Sequence, residues 1–157
     1  MHDVAYRSAG FSEIDLIRPL WDQLNRHHHA RSEHFRSWYE RTDFEDRKAH
    51  FRDLSESGQL RLDLAIDRPT GNPVGYSVSS LSREKAGEIE SLFVDPGYRS
   101  EGVGTTLVTR ALGWMDSSGA VRKRVSVGSG NGDAWAFYRK FGFVPRLTVL
   151  EQKNPGN

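Results

Sequence analysis

The chain has no cysteine among its 157 residues. Disulfide scaffolds, cysteine-bound zinc, iron–sulfur clusters and thiol nucleophiles are excluded at once. No apolar run approaches the roughly 18 residues of a membrane-spanning helix. The opening Met1-His2-Asp3-Val4-Ala5-Tyr6-Arg7 lacks the apolar core of a secretory signal. A cytoplasmic protein without a membrane role is therefore expected. An excess of one charge is also missing: 22 Lys and Arg stand against 21 Asp and Glu, for a net charge of +1. Such a balance carries no overall signature of a nucleic-acid partner. There is no internal repeat, no low-complexity tract and no Pro/Gly/Ser linker. Single domains cluster at roughly 100–150 residues, so residues 1–157 are expected to form one domain.

What is present divides by period. Val4–Arg7 suits a short first strand, and Ser12 is placed to cap a helix with Glu13 and Asp15 in its first turn. Leu16, Leu20, Trp21 and Leu24 recur at helical spacing, with Pro19 predicting a kink or a restart. Phe35–Glu40 and Phe44–Leu54 read as further helices, the second closed by Gly58. Alternation then takes over at Leu60, Leu62, Leu64 and Ile66, again at Val74, Tyr76 and Val78, and along Ile89–Val94. Short turns between these strands predict an antiparallel meander. A helix over Gly102–Ser118, a parallel strand over Val121–Val127, a helix over Ala134–Phe141 and a last strand over Val144–Gln152 follow. The predicted fold class is α/β (mixed α+β): a mixed sheet with an antiparallel N-terminal meander and a parallel central pair, with helices on both faces.

The informative segment joins strand Ile89–Val94 to the helix at Gly102 through Asp95-Pro96-Gly97-Tyr98-Arg99-Ser100-Glu101. A glycine-rich loop opening a helix offers free amides and a dipole to an anion, usually a phosphate. Two nucleotide motifs fail here. Gly97 and Gly102 have the Walker A spacing, but Val103 stands in place of its lysine; Gly102 and Gly104 begin the Rossmann fingerprint, but Leu107 replaces its third glycine. What remains is Arg99-x-x-Gly102-x-Gly104 after a strand.

That arrangement resembles the acyl-CoA loop of the GNAT superfamily of N-acetyltransferases, whose pattern is Gln/Arg-x-x-Gly-x-Gly/Ala. The resemblance continues through the strand Arg124–Val127, Asn131 and Phe137-Tyr138-Arg139-Lys140-Phe141-Gly142-Phe143, and covers roughly residues 88–145. It implies a GNAT-like fold and direct attack of a primary amine on the thioester of acetyl-CoA. The implied acceptor is an amine of a small molecule or a peptide, with no metal and no nucleic acid or membrane partner; a homodimer stays open. The rival from another class is a CoA-binding sensor or interaction module on the same fold, without turnover.

By the resemblance, Arg99, Ser100, Glu101, Gly102, Val103, Gly104 and Thr105 hold the pyrophosphate, chiefly through amides. Leu92, Phe93 and Val94 offer strand amides to the thioester carbonyl and the pantetheine arm. Asn131 contacts the cofactor, or merely caps the next helix. Tyr138 matches the family's tyrosine: a phenol of pKa near ~10 can protonate a departing thiolate whose thiol has pKa near ~8.5. Its alternative is a packing tyrosine among Trp135, Phe137 and Phe141. Glu90 is the candidate base, directly or through water, with Glu88 beside it on the same strand. Trp21, Trp38, Tyr39 and the His27-His28-His29 run are candidates for the acceptor side. The histidines meet no metal-ligand spacing and suit a solvated helix end. Arg122-Lys123-Arg124 suits a solvated strand edge, or the cofactor's 3′-phosphate.

Overall fold

A computed structural model describes residues 1–35 and 41–153 of the chain. Strand β1 (Val4–Ala9) leads through a 3-10 helix (Phe11–Ile17) into α1 (Arg18–Arg31) and α2 (Phe44–Ser57). Strands β2 (Gln59–Asp67), β3 (Pro73–Leu81) and β4 (Ala86–Val94) follow, then α3 (Val103–Ser117), β5 (Arg122–Val125) and α4 (Gly132–Arg139). The five strands lie in sequence order; β1 to β4 are antiparallel and β4–β5 is parallel. The predicted meander and parallel pair are both present.

Alternation along the strands sends side chains to two helical layers. Leu62, Leu64, Tyr76, Val78 and Phe93 bury against Ile14, Ile17, Leu20, Trp21, Phe44 and Phe51 of the 3-10 helix, α1 and α2. On the opposite face, Ala65 and Val74 pack against Val103 and Leu107, and Ile89 joins Val108, Met115 and Tyr138. The polar residues alternating along β2 are therefore covered as well. Asp63 is fully buried beneath α3, where Arg61 Nε and Arg110 Nε each donate to its carboxylate at 2.9 Å. Burying a carboxylate this deeply requires such paired charge-assisted donors.

Several local expectations change. Ser12 caps nothing: the 3-10 helix starts after Gly10, without a side-chain cap, and Glu13 N–H donates to the Gly10 carbonyl. The tighter 3-10 period also turns Leu16 outward and puts Ile14 and Ile17 in the core. Pro19 sits in the first turn of α1, where its missing N–H costs no helix bond; of the two readings, the helix restarts there. Strand β5 ends at Val125, not Val127, and residues 143–153 form no strand with the rest of the sheet. That segment has the strand period but finds no pairing partner among the described residues, and period alone does not supply one. The helix expected over Phe35–Glu40, with Trp38 and Tyr39, lies almost wholly outside the described residues. Gly119 and Gly142 follow α3 and α4 with φ of 83° and 87°, as helix-closing glycines should.

Candidate active site

The site begins where two parallel strands part. Pairing of β4 with β5 runs from Ala86↔Arg122 to Ile89↔Val125 and stops there, while β4 continues to Val94. The stretch Glu90–Val94 keeps its antiparallel partner β3 on one side and faces open space on the other. A cavity of about 900 Å³ occupies the opening.

The β3–β4 ladder carries a bulge at the same place. Val78 pairs with Ser91 and Ser79 with Ile89, so Glu90 is the extra residue. A bulge bends its strand and re-aims a side chain. The Glu90 carboxylate accepts from Ser80 Oγ of β3, at 2.8 Å to Oε1. Its carbonyl accepts from Arg47 Nη2 at 2.7 Å. The His50 ring nitrogen lies 3.9 Å from the other carboxylate oxygen. Burial pushes the Glu90 carboxyl above the ordinary carboxylate range; the Ser80 bond works the other way, and neighbouring Glu88 adds to the rise. His50 is held below the usual imidazole value, first by burial and then by the Arg47 charge. Both shifts work against a charged pair between His50 and Glu90.

At the cavity's other end, the loop after β4 is built for backbone donors. Asp95 Oδ1 accepts from Gly97 N–H at 2.9 Å and fixes the turn. Ser100 and Gly102 take φ of 64° and 82°, which winds the chain into α3. No side chain caps α3, and its first internal bond runs from Thr106 N–H to the Gly102 carbonyl. The amides of Val103, Gly104 and Thr105 therefore lack helical partners, as those of any first turn do. All three residues line the cavity, as do Arg99, Ser100 and Gly102. Arg99 Nε donates to the Val94 carbonyl at 3.0 Å, with the guanidinium over the Phe93 ring. Glu101 turns away: its carboxylate accepts from the His2 backbone N–H and lies 2.8 Å from His2 Nδ1, and it is absent from the lining.

Tyr138, on α4, closes the opening from the β5 side. Its ring packs edge-on against Phe137 and Phe143, with centroids 5.2 and 5.8 Å away. Burial alone drives the phenol's pKa upward, so it stays protonated at physiological pH. No described residue hydrogen-bonds its hydroxyl. Asn131 Oδ1 accepts from Ala134 N–H at 3.4 Å and so caps α4 while also lining the cavity.

Tyr138, Glu90, Leu92, Phe93, Val94 and the stretch Arg99–Thr105 apart from Glu101 thus meet at one cavity. Phe93 sends its ring into the core beneath α1 and α2, while its backbone runs along the opening. Trp21 is mainly a core residue, edge-on to Phe44 at 5.5 Å, with one edge on the cavity. His27 and His28 line it too; burial lowers the pKa of both. Arg124 pairs with Glu88 and Lys123 with Asp116, so two of the three basic residues are engaged at the sheet edge. Arg47 and His50 escaped sequence reading. For Arg47 the available signal was position, three residues after Phe44 and four before Phe51 on a half-buried stripe of α2; His50 is exposed and gave none.

The comparison that decides the family is with its sequence model: residues 21–143 match the acetyltransferase (GNAT) family. The chain belongs to the GNAT acetyltransferase family. An uncharacterized N-acetyltransferase of Methanocaldococcus jannaschii is 33% identical to this GNAT chain over 85 residues. That match takes in 50% of the chain and 38% of the relative, so the alignment spans well under half the relative's length. Among solved structures, the aminoglycoside N-acetyltransferase AAC(6′)-Iy in complex with CoA superposes with a TM-score of 0.71 at 15% identity, covering 99% of this chain and 97% of that one. A mutant of the BH1408 protein from Bacillus halodurans gives 0.72 at 18%, covering 94% and 98%. Glucosamine-6-phosphate N-acetyltransferase from Arabidopsis thaliana gives 0.66 at 18%, covering 96% and 97%. At these identities the likeness establishes that the GNAT fold is shared.

Proposed function

We propose that this GNAT chain acts as one domain that transfers an acetyl group from acetyl-CoA to a primary amine of a small molecule or peptide. The observation that carries the reading is the parting of β4 and β5 after Ile89. It sets the unpartnered first-turn amides of α3, the open edge of β4, Glu90 and Tyr138 around one cavity of about 900 Å³.

In this reading the amides of Val103, Gly104 and Thr105 receive the diphosphate of CoA, helped by the helix dipole and Arg99. The pantetheine arm lies along Glu90–Val94 as an added strand would. A strand amide there polarises the thioester carbonyl. The Glu90 carboxylate takes the proton that the amine must lose. The amine nitrogen then bonds to the carbonyl carbon, and the carbon–sulfur bond breaks. The thiolate leaves with the Tyr138 hydroxyl proton. A raised carboxyl pKa suits Glu90 to a base's task near neutral pH.

The test is acetyl-CoA binding followed by a screen of amines for thiol release. The chain has no cysteine, so a thiol reagent sees no protein background. Acetyl-CoA at about 100 times its dissociation constant should stabilise the fold by about 2.7 kcal/mol. Silence of both acetyl-CoA and CoA in thermal unfolding overturns the cofactor assignment. Binding without thiol release on any amine leaves a sensor instead of an enzyme.

A further inference from the structure

In the acetyl-transfer reading, on which this inference rests, CoA takes the α3 loop and the open edge of β4. The wall left for the acceptor is the one that α1 and α2 build. Its charges are sorted by sign. Every ionisable side chain that these two helices send to the cavity is basic: His27, His28, Arg31, Arg47 and His50. Nearby carboxylates are used elsewhere. Asp43 and Asp46 close the capping box of α2, Glu45 pairs with Arg18, and no acidic residue of α1 or α2 lines the cavity.

The two arginines of this wall differ. Arg31 Nη2 stands 3.4 Å from an Asp133 carboxylate oxygen, so its charge is met. Arg47 is half-buried and has no carboxylate within ion-pair distance among the described residues. Its Nη2 donates to the Glu90 carbonyl, and its guanidinium lies over the Phe51 ring. A guanidinium carries five N–H donors, so several remain to spare. Taking a cation out of water without an anion is costly, and a bound anion would offset that cost.

We propose that the acceptor is a small amine that also carries a carboxylate or a phosphate, and that Arg47 holds this anion while Glu90 faces the nitrogen. A planar guanidinium fits either anion through two parallel N–H bonds. The spacing follows from one residue. Arg47 is bonded to the Glu90 carbonyl, and the proton is taken by the Glu90 side chain. Anion and amine are thus held near the two ends of a single glutamate. Covalent geometry separates those ends by on the order of 5 Å, so roughly two to four bonds lie between the nitrogen and the anionic group. A β-amino acid or an aminoalkyl phosphate has that size. Trp21 and Leu24, on the same wall, cover the short carbon chain. A polyamine offers Arg47 no anion and sets like charge against like.

The test titrates amines of matched length into the chain in a calorimeter, with and without CoA, which has no acetyl group to give. β-Alanine and O-phosphoethanolamine carry the anion. Propylamine puts a methyl group in its place, and 1,3-diaminopropane a cation. The two anionic amines should bind at least about tenfold more tightly than propylamine, with 1,3-diaminopropane weakest. Arg47→Met should abolish this preference, Arg47→Lys should keep part of it, and Arg31→Met should leave it in place. Retained CoA affinity and cooperative unfolding identify a folded variant, and the wild-type ranking is decisive even if one variant does not fold. Equal or tighter binding of propylamine or 1,3-diaminopropane, a preference that survives Arg47→Met, or silence of every amine would each overturn the proposal. So would binding confined to a peptide with an N-terminal aspartate. None of these readouts needs turnover. Absent thiol release with the ranking in place removes the enzyme reading alone; thiol release without the ranking removes the anionic acceptor alone.

Discussion

Arg47 Nη2 donates to the Glu90 carbonyl at 2.7 Å, and the bond fastens α2 to the bulge of β4. The guanidinium also lies over the Phe51 ring, with 4.8 Å to the centroid. One side chain thus links the helical layer to the residue that diverts the strand. A hydrogen bond to a charged group contributes about 1.5–3 kcal/mol. Arg47→Met keeps the apolar stem and removes the donor. We predict a loss of stability within that range in urea unfolding, together with a lower kcat on any accepted amine. A variant unchanged in both would show that the bulge holds itself.

Glu90→Gln separates chemistry from stability. Burial raises the Glu90 carboxyl pKa in the folded chain, so the folded state holds this proton more tightly than the unfolded one. Stability from that proton is present below the ordinary carboxylate pKa of about 4.3. It is lost as pH climbs through the raised value. The Gln variant avoids the loss and can still accept from Ser80. At neutral pH it should be at least as stable as wild type, with any advantage gone in acid. Its transfer rate should fall, most at pH above the raised Glu90 value, where the wild-type carboxylate is free to take the amine's proton. An unchanged pH–rate profile returns Glu90 to a structural role and points to water or Glu88.

Tyr138→Phe should keep the fold, because the ring that packs between Phe137 and Phe143 remains. Only the hydroxyl is lost, and no described residue hydrogen-bonds it. General acid catalysis contributes typically ~10²–10⁴-fold, and solvent replaces part of it. We expect kcat to fall at or below the low end of that range, with KM for acetyl-CoA little changed. Steady-state thiol release and a separate binding measurement check this. A Phe variant as fast as wild type, with chemistry limiting, would make Tyr138 a packing residue.

Gly104→Val probes the loop. A Cβ at Gly104 would stand 3.4 Å from Phe137 Cζ, an ordinary contact, so the fold tolerates the first added atom. The branched side chain would intrude beside the first-turn amides of α3. Affinity for acetyl-CoA should fall by about tenfold or more, a change of at least about 1.4 kcal/mol. Calorimetry on the folded variant decides, and unchanged affinity would move the cofactor away from this loop.

Much of the site could be read in sequence because its parts are contiguous. The loop Arg99–Thr105 follows its strand directly, and its special backbone is written in Gly102, whose φ is 82°. Asn131 caps the short helix that carries Tyr138. The bulge was not readable, since an extra residue in a ladder is defined only by the strand opposite. Nor were Ser80 and His50, which reach Glu90 from β3 and from α2. The Glu101 carboxylate was out of reach too, because its partner His2 is 99 residues away.

The sequence by itself determined the strand and helix periods, the loop's free amides and the cysteine-free chemistry. Each depends on the residue and its near neighbours, so local conformational preference suffices. Tertiary structure alone decided where β4 leaves β5, which charges gather around Glu90, and that Val144–Gln152 stays unpaired despite its strand pattern. A strand's period says which side chains share a face. Whether the strand forms depends on an edge to receive its hydrogen bonds, and that edge is supplied by chain far away in sequence.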